Sequence, residues 1–330
     1  MQIVEGVYQI QIPLDNTPMG HVNTYLIKGD DGWVLVDTGW DTPSAFESLQ
    51  SQLRDIGLDF RDITRILITH AHPDHFGMAG KIKGLSGAKV AMHRLEAETI
   101  QSRYWDMDSL LQQMGDWLRS NGIPDEELPA LRNVSLGMAK LVDCVEPDWP
   151  LSGGEIIPVK DASLQVLWCP GHSPGHICFY DHNRKLLFAG DHILPEITPN
   201  VSLHVQSGPD PLGDYLKSLE MLSELDVEKV LPGHEYIFTN FQQRIEELKS
   251  HRKERMDNVM EAVEDIPQVG YDIASKVPWM EGKAAWNKLG PLDKRAAVCE
   301  TLAHLEVLTN DHRIDKIKDE HVSYKMRDRK

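Results

Sequence analysis

The chain of 330 residues has only four cysteines, Cys144, Cys169, Cys178 and Cys299, and no Cys-x-x-Cys spacing. So few scattered thiols form neither a disulfide framework nor a thiolate metal knuckle; they read as reduced core residues of a cytosolic protein. No run of about 18 apolar residues occurs, which excludes a membrane-spanning helix. The start, Met1-Gln2-Ile3-Val4-Glu5, lacks a basic segment followed by an apolar one. No signal peptide is therefore expected, and the cytoplasm is the expected compartment. Positive charge is short as well: 34 Lys and Arg stand against 51 Asp and Glu, a formal net charge of −17. Phosphate contacts dominate nucleic-acid affinity, so the chain as a whole points away from nucleic acid and toward a small-molecule substrate. No serine or cysteine with a convincing catalytic base is legible.

What the chain does have is histidine at the ends of apolar runs. Thr69-His70-Ala71-His72-Pro73-Asp74-His75-Phe76-Gly77 follows the mostly apolar run Ile63–Ile68, which reads as a buried strand. A polar turn with Asp74 as a helix N-cap needs one capping oxygen. Three imidazoles and a carboxylate within six residues go beyond that, and they are the donors a borderline divalent cation takes. The pattern recurs. Val34-Leu35-Val36 runs into Asp37-Thr38-Gly39, and Leu164–Trp168 runs into Cys169-Pro170-Gly171-His172-Ser173-Pro174-Gly175-His176. Leu186–Ala189 runs into Gly190-Asp191-His192, and Val227–Leu231 runs into Pro232-Gly233-His234-Glu235. Glycine and proline shape each loop, and strand-end loops are where α/β folds open their sites.

His-x-His-x-Asp-His, as His70, His72, Asp74 and His75, resembles the signature of the metallo-β-lactamase superfamily, with the glyoxalase II-like hydrolases an especially close match. The resemblance spans roughly residues 1–240, with the motifs in the family's order. It implies a four-layer αββα sandwich in the α/β class. It also implies two divalent ions, most simply Zn2+ with Fe or Mn also suited to these donors. By that analogy His70, His72 and His172 hold one ion, Asp74, His75 and His234 the other, and Asp191 bridges them. Asp37 supports the site by accepting from a ligand ring, and Asp74 helps orient or deprotonate the attacking water. His192 either reaches substrate, supports the site or is an ordinary surface histidine, and His176 is a structural neighbour. Zinc lowers the pKa of bound water to about 7, so the implied nucleophile is a hydroxide shared by two ions.

Between the motifs, residues 3–12, 22–28 and 33–38 read as strands and residues 43–57 as a helix. Residues 94–143 lack β patterning and read as a helical insertion capping the site. Trp40, Tyr104 and Trp105 are the expected substrate-pocket side chains. The division expected is a catalytic domain at 1–240 and a helical, winged-helix-like region at 241–330. Its helices are expected at Phe241–Ala262, around Ala284–Leu289 and at Leu292–Leu308. From Arg313 to Lys330 there are seven Lys and Arg against four Asp and Glu, which reads as a solvated, partly frayed tail. Homodimerisation through insert or tail is compatible with the sequence, though nothing argues for it. The expected activity is metal-dependent hydrolysis of a small ester, thioester or lactone. The alternative is a phosphodiesterase or ribonuclease of the same fold. His72 stands where flavodiiron relatives place Glu, and no tyrosine follows Asp191 as in quorum-quenching lactonases.

Overall fold

The computed structural model describes residues 1–134, 136–279 and 286–327. One sheet takes its strands in chain order: β1 (Gln2–Val4), β2 (Val7–Pro13), β3 (His21–Lys28), β4 (Trp33–Val36), β5 (Ile63–Leu67), β6 (Lys89–His93) and β7 (Trp149–Leu151). It is antiparallel through β4 and parallel from β4 to β7. The second sheet contains β8 (Ile156–Val159), β9 (Ala162–Trp168), β10 (Ile177–Asp181), β11 (Leu186–Gly190) and β12 (Lys229–Pro232), in the order β12-β11-β10-β9-β8.

The layers follow from the period of two along a strand. Within β3, β4 and β5, Tyr25, Ile27, Val34, Val36 and Leu67 point to one face, while Leu26, Leu35 and Ile66 point to the other. The first group meets Ile177, Phe179, Leu186, Phe188 and Leu231 of the second sheet, so the two sheets share an inner core. The second group packs under the helices Pro43–Asp55 and Ala79–Ser86. On the far side, Cys178, Tyr180, Leu187, Ala189 and Val230 pack against the helices Pro211–Ser223 and Phe241–Ala262. This is the αββα sandwich.

Four details depart from expectation. The strand expected over 3–12 is broken at Glu5-Gly6, where Gly6 turns with φ 73°. β7 escapes sequence reading because its three residues include a proline. The insertion is helical, over Arg94–Ile100, Met107–Ser120, Leu128–Asn133 and Leu136–Ala139. However, its Leu118, Ile123, Leu128 and Leu131 share one core with Val259, Ile273, Val298 and Leu302 of the C-terminal region. Finally, that region is not helical throughout. Besides the helices Phe241–Ala262, Gly270–Lys276 and Pro291–Asn310 it carries a three-stranded antiparallel sheet. Its strands are β13 (Gln268–Val269), β14 (Ile314–Lys318) and β15 (Val322–Met326), in the order β13-β15-β14.

The basic stretch after Arg313 is thus a folded hairpin through Met326. Ile314 and Tyr324 go into the core, and Lys316, on the same face, lies over the Tyr324 ring and pairs with Glu306. Of the segment expected around Ala284–Leu289, residues 284 and 285 lie outside the described residues, and Trp286–Lys288 is a single 3-10 turn. Among the described residues no helix is long and apolar enough to cross a membrane.

Candidate metal centre

The C-terminal ends of β4, β5, β9, β11 and β12 share one edge of the sandwich, and the motif loops leave from there. The edge is tied across by backbone bonds: Ile177 N donates to Thr69 O (2.9 Å), Asn23 N to Gly233 O (2.6 Å) and Gly233 N to Gly190 O (2.7 Å). His72 is the N-cap residue of the short helix Pro73–Phe76, whose first turn brings Asp74 Oδ2 within 3.7 Å of His75 Nε2. Close approach demands glycine at 233. A Cβ there would fall against Asp191 Oδ1 and 2.7 Å from His75 Cε1.

All seven candidate ligands come together, in three overlapping groups of donor atoms: His70, His72 and His172; His70, His75 and Asp191; Asp74, His75 and His234. In the first group, His70 Nε2 lies 2.9 Å from His72 Nδ1 and 3.2 Å from His172 Nε2, which is 3.1 Å from His72 Nδ1. Three nitrogens this close cannot all be satisfied by protons of one another. Zn–N bonds of about 2.0–2.1 Å place tetrahedral nitrogens about 3.3 Å apart, close to the observed triangle. Around the third group, His75 Nε2 stands 3.2 Å from Asp191 Oδ1, and His234 Nε2 stands 3.2 Å from Asp74 Oδ2 and 3.4 Å from Asp191 Oδ2. His75 Nε2, His234 Nε2 and Asp191 Oδ1 are buried without a hydrogen-bond partner. Orphaned donor atoms of this kind, aimed at one another, fit divalent cations and are costly without them.

The far side of each ring fixes which nitrogen offers its lone pair. His172 Nδ1 donates to Asn200 O (2.8 Å), His234 Nδ1 to His21 O (3.1 Å) and His75 Nδ1 to Asp37 Oδ2 (2.8 Å). Asp37 also receives the Thr69 hydroxyl (2.8 Å), so Thr69 Oγ1 is left to accept from His70 Nδ1 (3.0 Å). One carboxylate therefore orients two imidazoles, one directly and one through Thr69. We predict that Asp37→Asn weakens metal affinity by about 10- to 100-fold with the fold retained, read by competition against a chelator. Unchanged affinity would contradict the orienting role.

Charge agrees with geometry. Burial, and then the charges of neighbouring rings, hold His70 and His72 well below the usual imidazole range, so they are neutral donors. Burial opposes charge on His234 and His75 too, but the neighbouring carboxylates outweigh it. Asp191 first, then Asp74, raise His234 to about 10, and Asp191 and Asp37 hold His75 high. Carboxylates that draw a proton onto these rings equally favour a dication in its place.

Two supporting residues were not legible. Thr69 is a single hydroxyl beside a dense ligand motif, and Glu96, in the first helix of the insertion, is one acid in a helical stretch; no pattern in the sequence marks either. Glu96 is 1 % exposed, and its two oxygens accept from Ala71 N (2.8 Å) and Gly175 N (2.8 Å), stitching the first ligand loop to the second.

The expected substrate residues divide. Tyr104 lines a cavity beside the ligands and donates to Ala71 O. Trp40 does not: it sits in the core between the first sheet and its helices, directly after Gly39 with φ 86°. Trp105 points to solvent at 47 % exposure and is absent from the cavity wall. His192 is also displaced from its expected catalytic role. Fully buried, it lies between the His176 and Tyr215 rings, neither of its ring nitrogens has a hydrogen-bond partner, and burial brings it to about 3. It packs behind the cluster and does not face the cavity. His176 accepts from Asp191 N (3.2 Å), steadying that carboxylate's backbone.

The cavity has a volume of about 350 Å³. Its floor is His72, Asp74 and His172; its walls include Tyr104, Met107, Leu110, Leu111, Met114 and Met138 of the insertion, Leu292, Ala296 and Cys299 of the C-terminal helix, and three arginines, Arg103, Arg132 and Arg295. An apolar recess opening onto polar donors is the usual form of a small-molecule site.

The family model described as the metallo-beta-lactamase superfamily matches residues 17–234. A Bacillus subtilis (strain 168) protein named probable metallo-hydrolase YqjP is 27% identical over 321 residues, 94% of each chain. The acyl-coenzyme A thioesterase MBLAC2 of Bos taurus is 33% identical over 239 residues, 70% of this chain and 78% of that one. Among solved structures, a metallo-beta-lactamase family protein from Thermus thermophilus superposes with a TM-score of 0.84 at 30% identity, covering 99% of this chain and 100% of that one.

Proposed function

Because the chain belongs to the metallo-β-lactamase superfamily of metal-dependent hydrolases, we propose that it hydrolyses acyl thioesters, and small esters or lactones of similar shape, with two divalent ions. The observation that carries this reading is the apolar cavity whose floor is three of the candidate ligands. Kinship with a thioesterase at 33% identity supports it. In this reading His70, His72 and His172 would hold one ion and Asp74, His75 and His234 the other, with Asp191 available to both. Bound ions of this kind acidify water and polarise a carbonyl; zinc suits the donors, and iron or manganese could replace it.

The chain's own part is positioning. The insertion and the C-terminal helix hold the acyl group and keep water from its flanks. Asp74 is the one carboxylate of the cluster on the cavity wall among the described residues, so it is the group placed to take up the proton released from the attacking water. Asp74→Asn, with metal content checked, should lower turnover by about 100-fold or more; equal turnover with full metal would remove that role.

A panel of acyl thioesters, esters, lactones and phosphodiesters offered to zinc-loaded protein tests the function. Turnover of thioesters with chelator-sensitive rates is expected. Inertness toward all carbonyl substrates alongside cleavage of a phosphodiester would replace this reading with the alternative one. We assign the cytoplasm, on four cysteines none of which is in a disulfide.

A further inference from the structure

Three arginines, Arg103, Arg132 and Arg295, line the cavity and nothing in the preceding account uses them; of these, Arg103 bonds to the first ligand loop. Arg103 lies on the single π-helical turn Gln101–Trp105, between the first two helices of the insertion. An extra residue per turn is a common device for re-aiming side chains at functional sites. Here it places Arg103 and Tyr104 together on the cavity wall, beside His72 and Asp74. The guanidinium is fixed from behind: Nε donates to Gln206 Oε1 (3.3 Å) and Nη1 to Ala71 O (3.4 Å), the carbonyl between His70 and His72. Gln206 is itself held by Ser102 Oγ (3.1 Å).

Two of the five N–H groups of Arg103 are used by these bonds, and the Tyr104 hydroxyl also faces the guanidinium. The nearest cavity carboxylate, Asp74, turns its oxygen to His234 and His75, and the structure shows no ion pair to Arg103 among the described residues. A half-buried cation without a counter-charge, beside an apolar wall, is unfavourable by itself. It is pre-set for an anion, and a guanidinium fork matches a carboxylate in two parallel bonds.

We propose that Arg103 is the specificity-determining residue of this site, recognising a carboxylate carried by the substrate within a few bonds of the scissile carbonyl. The inference rests on the thioester reading above and narrows it to anionic thioesters. The carboxylate sits either on the acyl group or on the leaving thiol; the fork would bind both alike.

The test uses the full chain loaded with zinc and two matched pairs. Butyryl and succinyl thioesters of N-acetylcysteamine vary the acyl side; butyryl thioesters of N-acetylcysteamine and 3-mercaptopropionate vary the thiol side. Wild type should prefer the carboxylated member of one pair by about 10- to 100-fold in kcat/KM, the range of a charge-assisted hydrogen-bond pair, mostly through KM. Arg103→Gln should bring that ratio down to about threefold or less, and Arg103→Lys, which keeps the charge but loses the fork, should fall between. Because the ratio is internal to each variant, a general loss of turnover from loop disturbance does not move it. No preference in either pair, or a preference that survives in Arg103→Gln, overturns the proposal. Should no thioester be turned over, the thioester reading falls by itself. The affinity for succinate, measured by calorimetry, then decides the anion site: a tenfold or greater weakening in Arg103→Gln supports it, and equal affinity overturns it.

Discussion

Asp191→Asn is expected to lower kcat/KM for a thioester by about a thousand-fold or more, equivalent to about 4 kcal/mol of transition-state stabilisation, and to reduce retained metal from two ions per chain toward one. Its oxygens lie 3.2 Å from His75 Nε2, 3.4 Å from His234 Nε2 and 3.7 Å from His172 Nε2. Among the described residues it is the carboxylate that stands beside rings of both halves of the cluster. The amide keeps the shape but removes the negative charge, and one of its two oxygens becomes an N–H donor pointed at nitrogen lone pairs or at a cation. Both changes oppose metal binding where burial leaves little solvent to compensate. Elemental analysis after dialysis, alongside kinetics, reads both effects. A variant within tenfold of wild type with full metal content would remove Asp191 from the reaction.

Leu111→Trp should separate substrates by chain length. Leu111 is on the cavity wall, and an indole there occupies space meant for an acyl tail. Burying a methylene is worth about 0.8 kcal/mol, so an octanoyl thioester owes up to about 5 kcal/mol of binding to six methylenes that an acetyl thioester lacks. Blocking part of that path should lower kcat/KM for octanoyl by about 100-fold and leave acetyl within about threefold. Equal losses on the two substrates would mean that acyl chains bind elsewhere.

How much of this was legible in the sequence follows from where the signals lie. Each ligand loop follows an apolar strand and is bounded by glycine or proline, so the residues gathered at the cluster could be named before any coordinates. The layers came from the family resemblance, and β4, β10 and β11, buried on both faces, agree with it as strands packed between sheet and helix must. Side-chain direction was not legible. Trp40 and Trp105 are large aromatics near the motifs, yet one lies in the core and the other is exposed to solvent. Glu96 reads as a solvated helical acid and becomes a buried staple only because Ala71 N and Gly175 N arrive from distant loops. In the C-terminal hairpin, the charge of Ile314–Lys318 hid a strand pair that sets Ile314 and Tyr324 into the core. The shared core of insertion and C-terminal helices, which builds the cavity, depends on packing between segments more than 130 residues apart, as in Leu118 against Val259. No local pattern encodes it.

The account depends above all on seven side chains enclosing two cations at the edge of the sandwich. Anomalous diffraction at the zinc edge from crystals of the zinc-loaded chain tests this directly. Two peaks per chain are predicted, one about 2.0–2.2 Å from the donor atoms of His70, His72 and His172, the other equally close to Asp74, His75 and His234, with Asp191 reaching both. A single peak, or peaks away from these residues, would contradict it.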